Sequence, residues 1–193
     1  MLQLTFLGTA NAVPDADHDN THMALSSAKR LVMIDCASSP LVRLSQAGLE
    51  ASNVTDLILT HFHPDHIAGA PSMLMQSWLI GRRAPLHIHC IGHVLERLVN
   101  LLEFYDWTDW PNMYPVEFHE ITGEEKTLLI EDADLRIYAS PVCHMIPNIG
   151  LRIESLATGA ALAYSCDTEP CENVARLAAH ADSLIHEATG AYP

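Results

Sequence analysis

His61, His63, Asp65 and His66 fall within six residues, in the stretch LILTHFHPDHIAGAPSM, directly after a short apolar run. An extended chain turns His61 and His63, two residues apart, to the same side, and Pro64 favours a turn that brings Asp65 and His66 round to meet them. Four ligand side chains therefore converge from one loop. Imidazole nitrogen and carboxylate oxygen are donors that Zn²⁺ accepts; similar sets hold Fe or Mn, so the identity of the metal stays open. One histidine in such a place would be a solvated turn residue, whereas three and an aspartate at the mouth of a strand read as a metal site. Two further donors follow strand-like runs elsewhere, His144 after LRIYASPVC and Asp167 after ALAYSC. On its own, His144 would be a hydrogen-bonded loop residue and Asp167 a turn or helix-capping residue. The company of the first motif makes both candidate ligands.

Those donors need strands that end where they stand. Apolar, β-branched runs at 2–7, 31–34, 57–60, 86–89, 116–119, 135–139, 149–153, 160–165 and 183–186 read as strands. Helical periodicity appears in SPLVRLSQAGL, in HIAGAPSMLMQSWLIG and most clearly in GHVLERLVNLLEFY, where Val94, Leu95, Leu98, Leu101, Leu102 and Tyr105 share a face. TEPCENVARLAAHA predicts a last helix with Thr168 as its N-cap and Pro170 near its first turn. Strands alternating with helices in the middle and paired elsewhere predict an α/β protein, layered from mixed sheets with helices outside. With 193 residues and no repeat or linker, a single domain over 1–193 is expected.

Ten basic residues face 24 acidic ones, a formal charge of -14. Nucleic-acid backbones bind clustered Lys and Arg by releasing counterions, so RNA is disfavoured as a partner unless a local basic patch or bound metal offsets the average. The five cysteines are odd in number and lack CxxC spacing, which argues against a disulfide framework and a thiolate zinc knuckle and for a reducing cytoplasm. There is no apolar run of transmembrane length, and the start MLQLTFLG lacks the basic front of a signal peptide. No membrane partner is expected.

The order FLGTANAVP, MIDC, LILTHFHPDHIAG, PVCH with GLRI, YSCDTEP and LIHEATG resembles the metallo-β-lactamase fold, in its ribonuclease Z-like branch of metal-dependent hydrolases, over nearly the whole chain. The His-x-His-x-Asp-His signature is its most specific element. The resemblance implies an αββα sandwich with two divalent ions, zinc first among them, at the sheet edge. His61, His63 and His144 would hold one ion, Asp65 and His66 the other, and Asp167 would bridge them. Two ions held about 3.5 to 4 Å apart lower the pKa of a bridging water, so a metal-bound hydroxide can attack a phosphodiester in line. Asp65 is the expected catalytic group, orienting that nucleophile and accepting its proton. Family members continue past the position of HEATG to a further metal-ligating histidine that nothing here matches. The expectation is therefore a chain lacking the C-terminal elements, with a weak or empty second site. A hydrolase of another ester, lactone, thioester, sulfate or lactam, and a non-catalytic relic keeping part of the site, are the alternatives, because the scaffold hosts many substrates.

The other histidines read differently. His87, His89, His93 and His119 lie in or beside predicted strands and helix starts, where a hydrogen-bonded structural role is expected of each. His18 and His22 sit in the loop DADHDNTHM, which would approach the site; His186 and Glu187 would support it from the HEAT element. The aromatic, acidic segment LEFYDWTDWPNMYP suits loop packing or a homodimer contact, with Trp107 and Trp110 as an apolar wall for a small ester as the lesser reading. A small-molecule or other phosphodiester substrate is expected. Protein purified as His63→Ala should carry less metal than the unaltered chain; an unchanged metal content, measured by atomic emission, would remove His63 from the ligand set.

Overall fold

Apolar runs with no polar alternation, LVMI and the LIL that follows Asp56, are what a strand covered on both faces requires, and they form the middle of a six-stranded sheet. The computed structural model describes residues 2–188, in two compact units: one of residues 3–120, the other of Leu2 and the described residues from 121 onward. In the first unit the elements are β1 (Gln3–Gly8), β2 (His22–Ser26), β3 (Leu31–Ile34), α1 (Pro40–Gln46), β4 (Asp56–Leu59), α2 (Pro64–Ile67), α3 (Ala70–Leu79), β5 (Leu86–Ile91), α4 (Gly92–Glu103) and β6 (Val116–Ile121). The strands lie in sequence order, β1 to β6. β1, β2 and β3 are antiparallel, whereas β3, β4 and β5 run parallel, with Ile34 opposite Ile58 and Ile58 opposite His89. Parallel neighbours end side by side, so whatever follows β3 meets whatever follows β4. Helix α4 buries Val94, Leu98 and Leu102, spaced four apart along one stripe.

The second unit contains β7 (Thr127–Glu131), β8 (Leu135–Val142), β9 (Asn148–Ser155), β10 (Ala161–Tyr164), α5 (Glu172–Ala178) and β11 (Ser183–Ile185), in a sheet of order β11-β10-β9-β8-β7. All its pairings are antiparallel except that of β10 with β11. The β8–β9 ladder runs from Leu135 opposite Ser155 to Val142 opposite Asn148. Helix α5 packs on β8, β9 and β10 and buries Val174 and Leu177.

The sequence reading differs from the structure at particular places. β2 and β7 were not expected: HMALS opens on a polar residue, and TLLIE is a short run between acidic turns. Thr168 is not the N-cap of the last helix. α5 begins at Glu172 with Cys171 in the cap position. Pro170 keeps the residue before it out of helical conformation, and the Thr168 hydroxyl donates to the carbonyl oxygens of Cys143 and Glu169 instead. The aromatic segment is loop packing where the structure shows its contacts: Trp110 stacks on Trp78 with centroids 5.4 Å apart, and Trp107 meets Phe118 edge-on. All five cysteines are free thiols. No helix among the described residues is long and apolar enough to cross a membrane.

Asp56, at the start of β4, is a buried carboxylate inside the sheet. Burial pushes its pKa up, but hydrogen bonds with His89, Thr55 and Arg30 and the Arg30 charge outweigh that and hold it at about 2. Arg30 Nη1 lies 2.8 Å and His89 Nε2 3.0 Å from its oxygens. A carboxylate whose folded pKa lies below its unfolded value stabilises the fold above that unfolded value and loses the contribution as pH falls through the folded one. The protein should therefore lose stability between about pH 4 and pH 2. Asp56→Asn should be about 2 kcal/mol less stable at pH 7 and lose less on acidification. Urea unfolding at pH 7 and pH 3 measures both effects.

Candidate metal centre

The first half of the donor set is built where β3 and β4 end together. Ile34 and Ile58 are paired, and the Asp35 N–H donates to the Ile58 carbonyl at 2.8 Å, which places the Asp35 carboxylate beside Thr60. That carboxylate, fully buried, accepts the Thr60 N–H and the Thr60 hydroxyl, each at 2.9 Å, and the His66 Nδ1–H at 2.7 Å. The bond fixes the His66 tautomer and leaves its Nε2 lone pair on the side away from Asp35, 3.6 Å from Asp65 Oδ2. With its hydroxyl hydrogen on Asp35, the Thr60 oxygen accepts from His61 Nδ1 at 3.1 Å, so His61 also presents Nε2. His63 faces it, Nδ1 to Nε2 at 3.0 Å. The rings of His61 and His66 lie 4.1 Å apart.

The loop carrying these residues is shaped by its backbone. His63 is extended at the cap of the short helix α2, with Pro64 in its first turn, so the chain reverses within one residue of the second histidine. The Cys36 N–H donates to the His66 carbonyl at 2.7 Å, and the Gly69 N–H donates to the Cys36 carbonyl at 2.8 Å. A Cβ on Gly69 would come within 2.7 Å of the Ala37 oxygen, so only glycine permits this approach. The spacing of His61 and His63 tests whether metal fits: a 3.0 Å gap between nitrogens is one that an ion about 2.0 to 2.1 Å from each can span. His61 and His66, each with its Nδ1 already bonded, together with the Asp65 carboxylate suit a borderline divalent cation.

The second half lies in the other unit. His144 stands in the loop between β8 and β9, half-buried, and Asp167 stands three residues after β10. Their loops are joined: the Glu169 N–H and the Thr168 hydroxyl both donate to the Cys143 carbonyl, at 2.7 and 3.1 Å. Asn148 Nδ2 donates to the Asp167 carbonyl at 2.7 Å, and the Thr168 N–H donates to Glu187 Oε1. His186 Nδ1 lies 2.6 Å from Ser165 Oγ. His186 and Glu187 thus brace the segment that carries Asp167.

Sequence reasoning missed Asp35 as a functional residue, although the signal was present: an acid follows the apolar run LVMI much as Asp167 follows ALAYSC. It gave no role to Thr60 or Asn148, whose bonds depend on tertiary pairing. His22 is buried at the start of β2. Its Nδ1–H donates to the Asn20 carbonyl, its Nε2 has no partner among the described residues, and burial lowers its pKa. His18 is exposed and bonds Asp15.

The family described as Anti-Pycsar protein Apyc1 matches residues 2–191. A ribonuclease Z of Mycobacterium bovis is 32% identical over 96% of this chain and 70% of its own length, and one of Methanothermobacter thermautotrophicus is 27% identical over 98% and 75%. Among solved structures, the short form of human tRNase Z superposes with a TM-score of 0.81 at 24% identity, covering 98% of this chain and 78% of that one. The metallo-β-lactamase fold protein YhfI of Bacillus subtilis gives 0.76 at 18% identity, covering 95% and 69%. The mixed sheets and helices are those of the metallo-β-lactamase fold, and the protein is a ribonuclease Z-like, metal-dependent hydrolase of the phosphodiesterase type. Within that class the chain belongs to the Anti-Pycsar Apyc1 family.

If Asp35 fixes the His66 tautomer, Asp35→Asn should weaken binding of the metal that His66 serves by about 10- to 100-fold. Competition with a chromophoric chelator measures this, with circular dichroism to show that the variant is folded. Unchanged affinity in the folded variant would mean that His66 is oriented by something other than Asp35.

Proposed function

We propose that the protein is a dinuclear zinc phosphodiesterase acting on small phosphodiesters in preference to transfer-RNA precursors. The observation that carries the reading is the paired presentation of His61 Nε2 and His63 Nδ1 at 3.0 Å, held from behind by Thr60 and Asp35. His61, His63 and His144 would hold one ion, Asp65 and His66 the other, and Asp167 would be shared between them. When bound, the ions supply Lewis acidity, lowering the pKa of water and neutralising the growing charge on phosphate oxygens.

The chain's own residues do the rest. Asp65 orients the attacking water and accepts its proton, and Asp167 sets the ion spacing. Asp35, Thr60 and Asn148 hold ligand-bearing segments so that little rearrangement is needed as charge develops. The net charge of -14 supports a small substrate over a polyanion. The five free thiols fit a reducing cytoplasm.

Turnover of bis(p-nitrophenyl) phosphate and of a transfer-RNA precursor, compared at low and moderate salt, tests the substrate class. The small diester should be cleaved and the precursor barely processed, the more so as salt rises; Asp65→Asn should lose on the order of a hundredfold or more in kcat. Efficient precursor processing at moderate salt would overturn the preference, and hydrolysis of a lactone or lactam without any diester would overturn the reaction class.

A further inference from the structure

The larger unit gathers a second set of metal donors well separated in sequence from the motif loop, on neighbouring strands of its sheet. In β5, LHIHCI, alternation puts His87 and His89 on one face; in β6, VEFHEI, it does the same for Glu117 and His119. The Leu86 N–H donates to the Pro115 carbonyl, fixing the start of one strand against the other. His87 Nδ1 then lies 3.0 Å from His119 Nε2 and 3.3 Å from Glu117 Oε2, and the three ligand atoms all fall within 4.8 Å of one another.

Two features separate this cluster from an ordinary hydrogen-bonded pair. The first is support. His89 bonds the buried Asp56 and stacks on His119 with centroids 4.7 Å apart and planes inclined by 17°, so the His119 ring is held in plane from below. A hydrogen-bonded structural role, expected for all four of these strand and helix histidines, describes His89 well. The second is an excess of lone pairs. One proton can bridge the two facing nitrogens, but the Glu117 carboxylate then competes for the same proton. A second proton, one on each facing nitrogen, would set two N–H donors against each other. Burial and the neighbouring His89 and His87 lower the pKa of His119, which keeps its lone pair available at neutral pH.

We propose that His87, Glu117 and His119 form a surface binding site for a divalent transition-metal ion of the Zn²⁺ class, distinct from the hydrolytic centre, which clamps β6 to β5. Two imidazoles and one carboxylate select Zn²⁺, Ni²⁺ or Cu²⁺ over Mg²⁺ or Ca²⁺, which prefer all-oxygen shells. The His87 side chain is 33% exposed and that of Glu117 51%, so an ion reaches the site without opening the fold, and water fills the remaining positions. Both strands supply ligands, so binding ties the last strand of the sheet to its neighbour and raises stability by mass action.

The test uses the full chain with its hydrolytic centre loaded with Zn²⁺, titrated with further Zn²⁺ against a chromophoric chelator. One additional equivalent should bind, and it should persist in His63→Ala, which lacks a ligand of the hydrolytic centre. His87→Gln and His119→Gln should each weaken it at least about tenfold while leaving diester turnover in place. Because a strand substitution can disturb folding, Glu117→Gln, an isosteric change at an exposed side chain, serves as the second variant and should weaken the equivalent as well. With Cu²⁺ as probe, electron paramagnetic resonance should show two nitrogen ligands in the unaltered chain and one in His119→Gln. Titrations identical in the unaltered chain and the three variants, or absence of the additional equivalent from the unaltered chain, would overturn the proposal.

Discussion

The buried carboxylate of Asp35 sets the geometry of the motif loop more than any single ligand does. It receives three hydrogens, two from Thr60 and one from His66, and through Thr60 it reaches His61. One side chain thereby decides which nitrogen two different imidazoles present. The residue holds φ at 61°, a left-handed conformation that costs a non-glycine residue on the order of 1 kcal/mol. That cost is offset because the same kink lets the Asp35 N–H bond Ile58 while its side chain turns towards Thr60. Hydrogen bonds to a charged acceptor contribute about 1.5 to 3 kcal/mol each, so the three together outweigh the backbone strain.

The parallel pairing of β3 with β4 is what makes this possible. Had the two strands been antiparallel, Asp35 and Thr60 would stand at opposite ends of the sheet. LVMI and DLIL are covered on both faces, and because the two strands run parallel the polar residues that follow them are driven to a common carboxyl-terminal edge, where ligands collect in open α/β sheets. The same logic runs through the second unit, where Asp167 follows β10 and His186 follows the parallel β11.

Legibility in the sequence tracked sequence separation. His61, His63, Asp65 and His66 declared themselves because a single loop holds them all, and most strands and helices were visible as apolar runs or stripes. Asp35 and Thr60 are 25 residues apart and meet only through a register that no local pattern reveals. His87 and His119 are 32 apart and looked like ordinary strand histidines until the pairing of their strands set them face to face. The capping role assigned to Thr168 failed for a related reason: its hydroxyl found the Cys143 carbonyl, 25 residues away, and the helix began beyond Pro170. β2 escaped notice because its burial comes from neighbours on both sides, and its own composition carries little β signal.

The acidic balance acts on cations and substrates in opposite directions. A field set by 24 acidic and ten basic residues raises the local concentration of divalent ions and so favours filling of imidazole and carboxylate sites. The same field repels phosphate, and the repulsion grows with the number of charges brought near. A small diester carries one negative charge, which ions held by the His and Asp donors can neutralise at the point of reaction. A folded RNA brings many phosphates that lie outside the reach of those ions and must be met by side chains instead, and here the average side-chain charge has the wrong sign. On the proposed reading, selectivity between substrates that share the same reactive bond then arises away from the bond, from whether the rest of the molecule must cross an unfavourable field to deliver it.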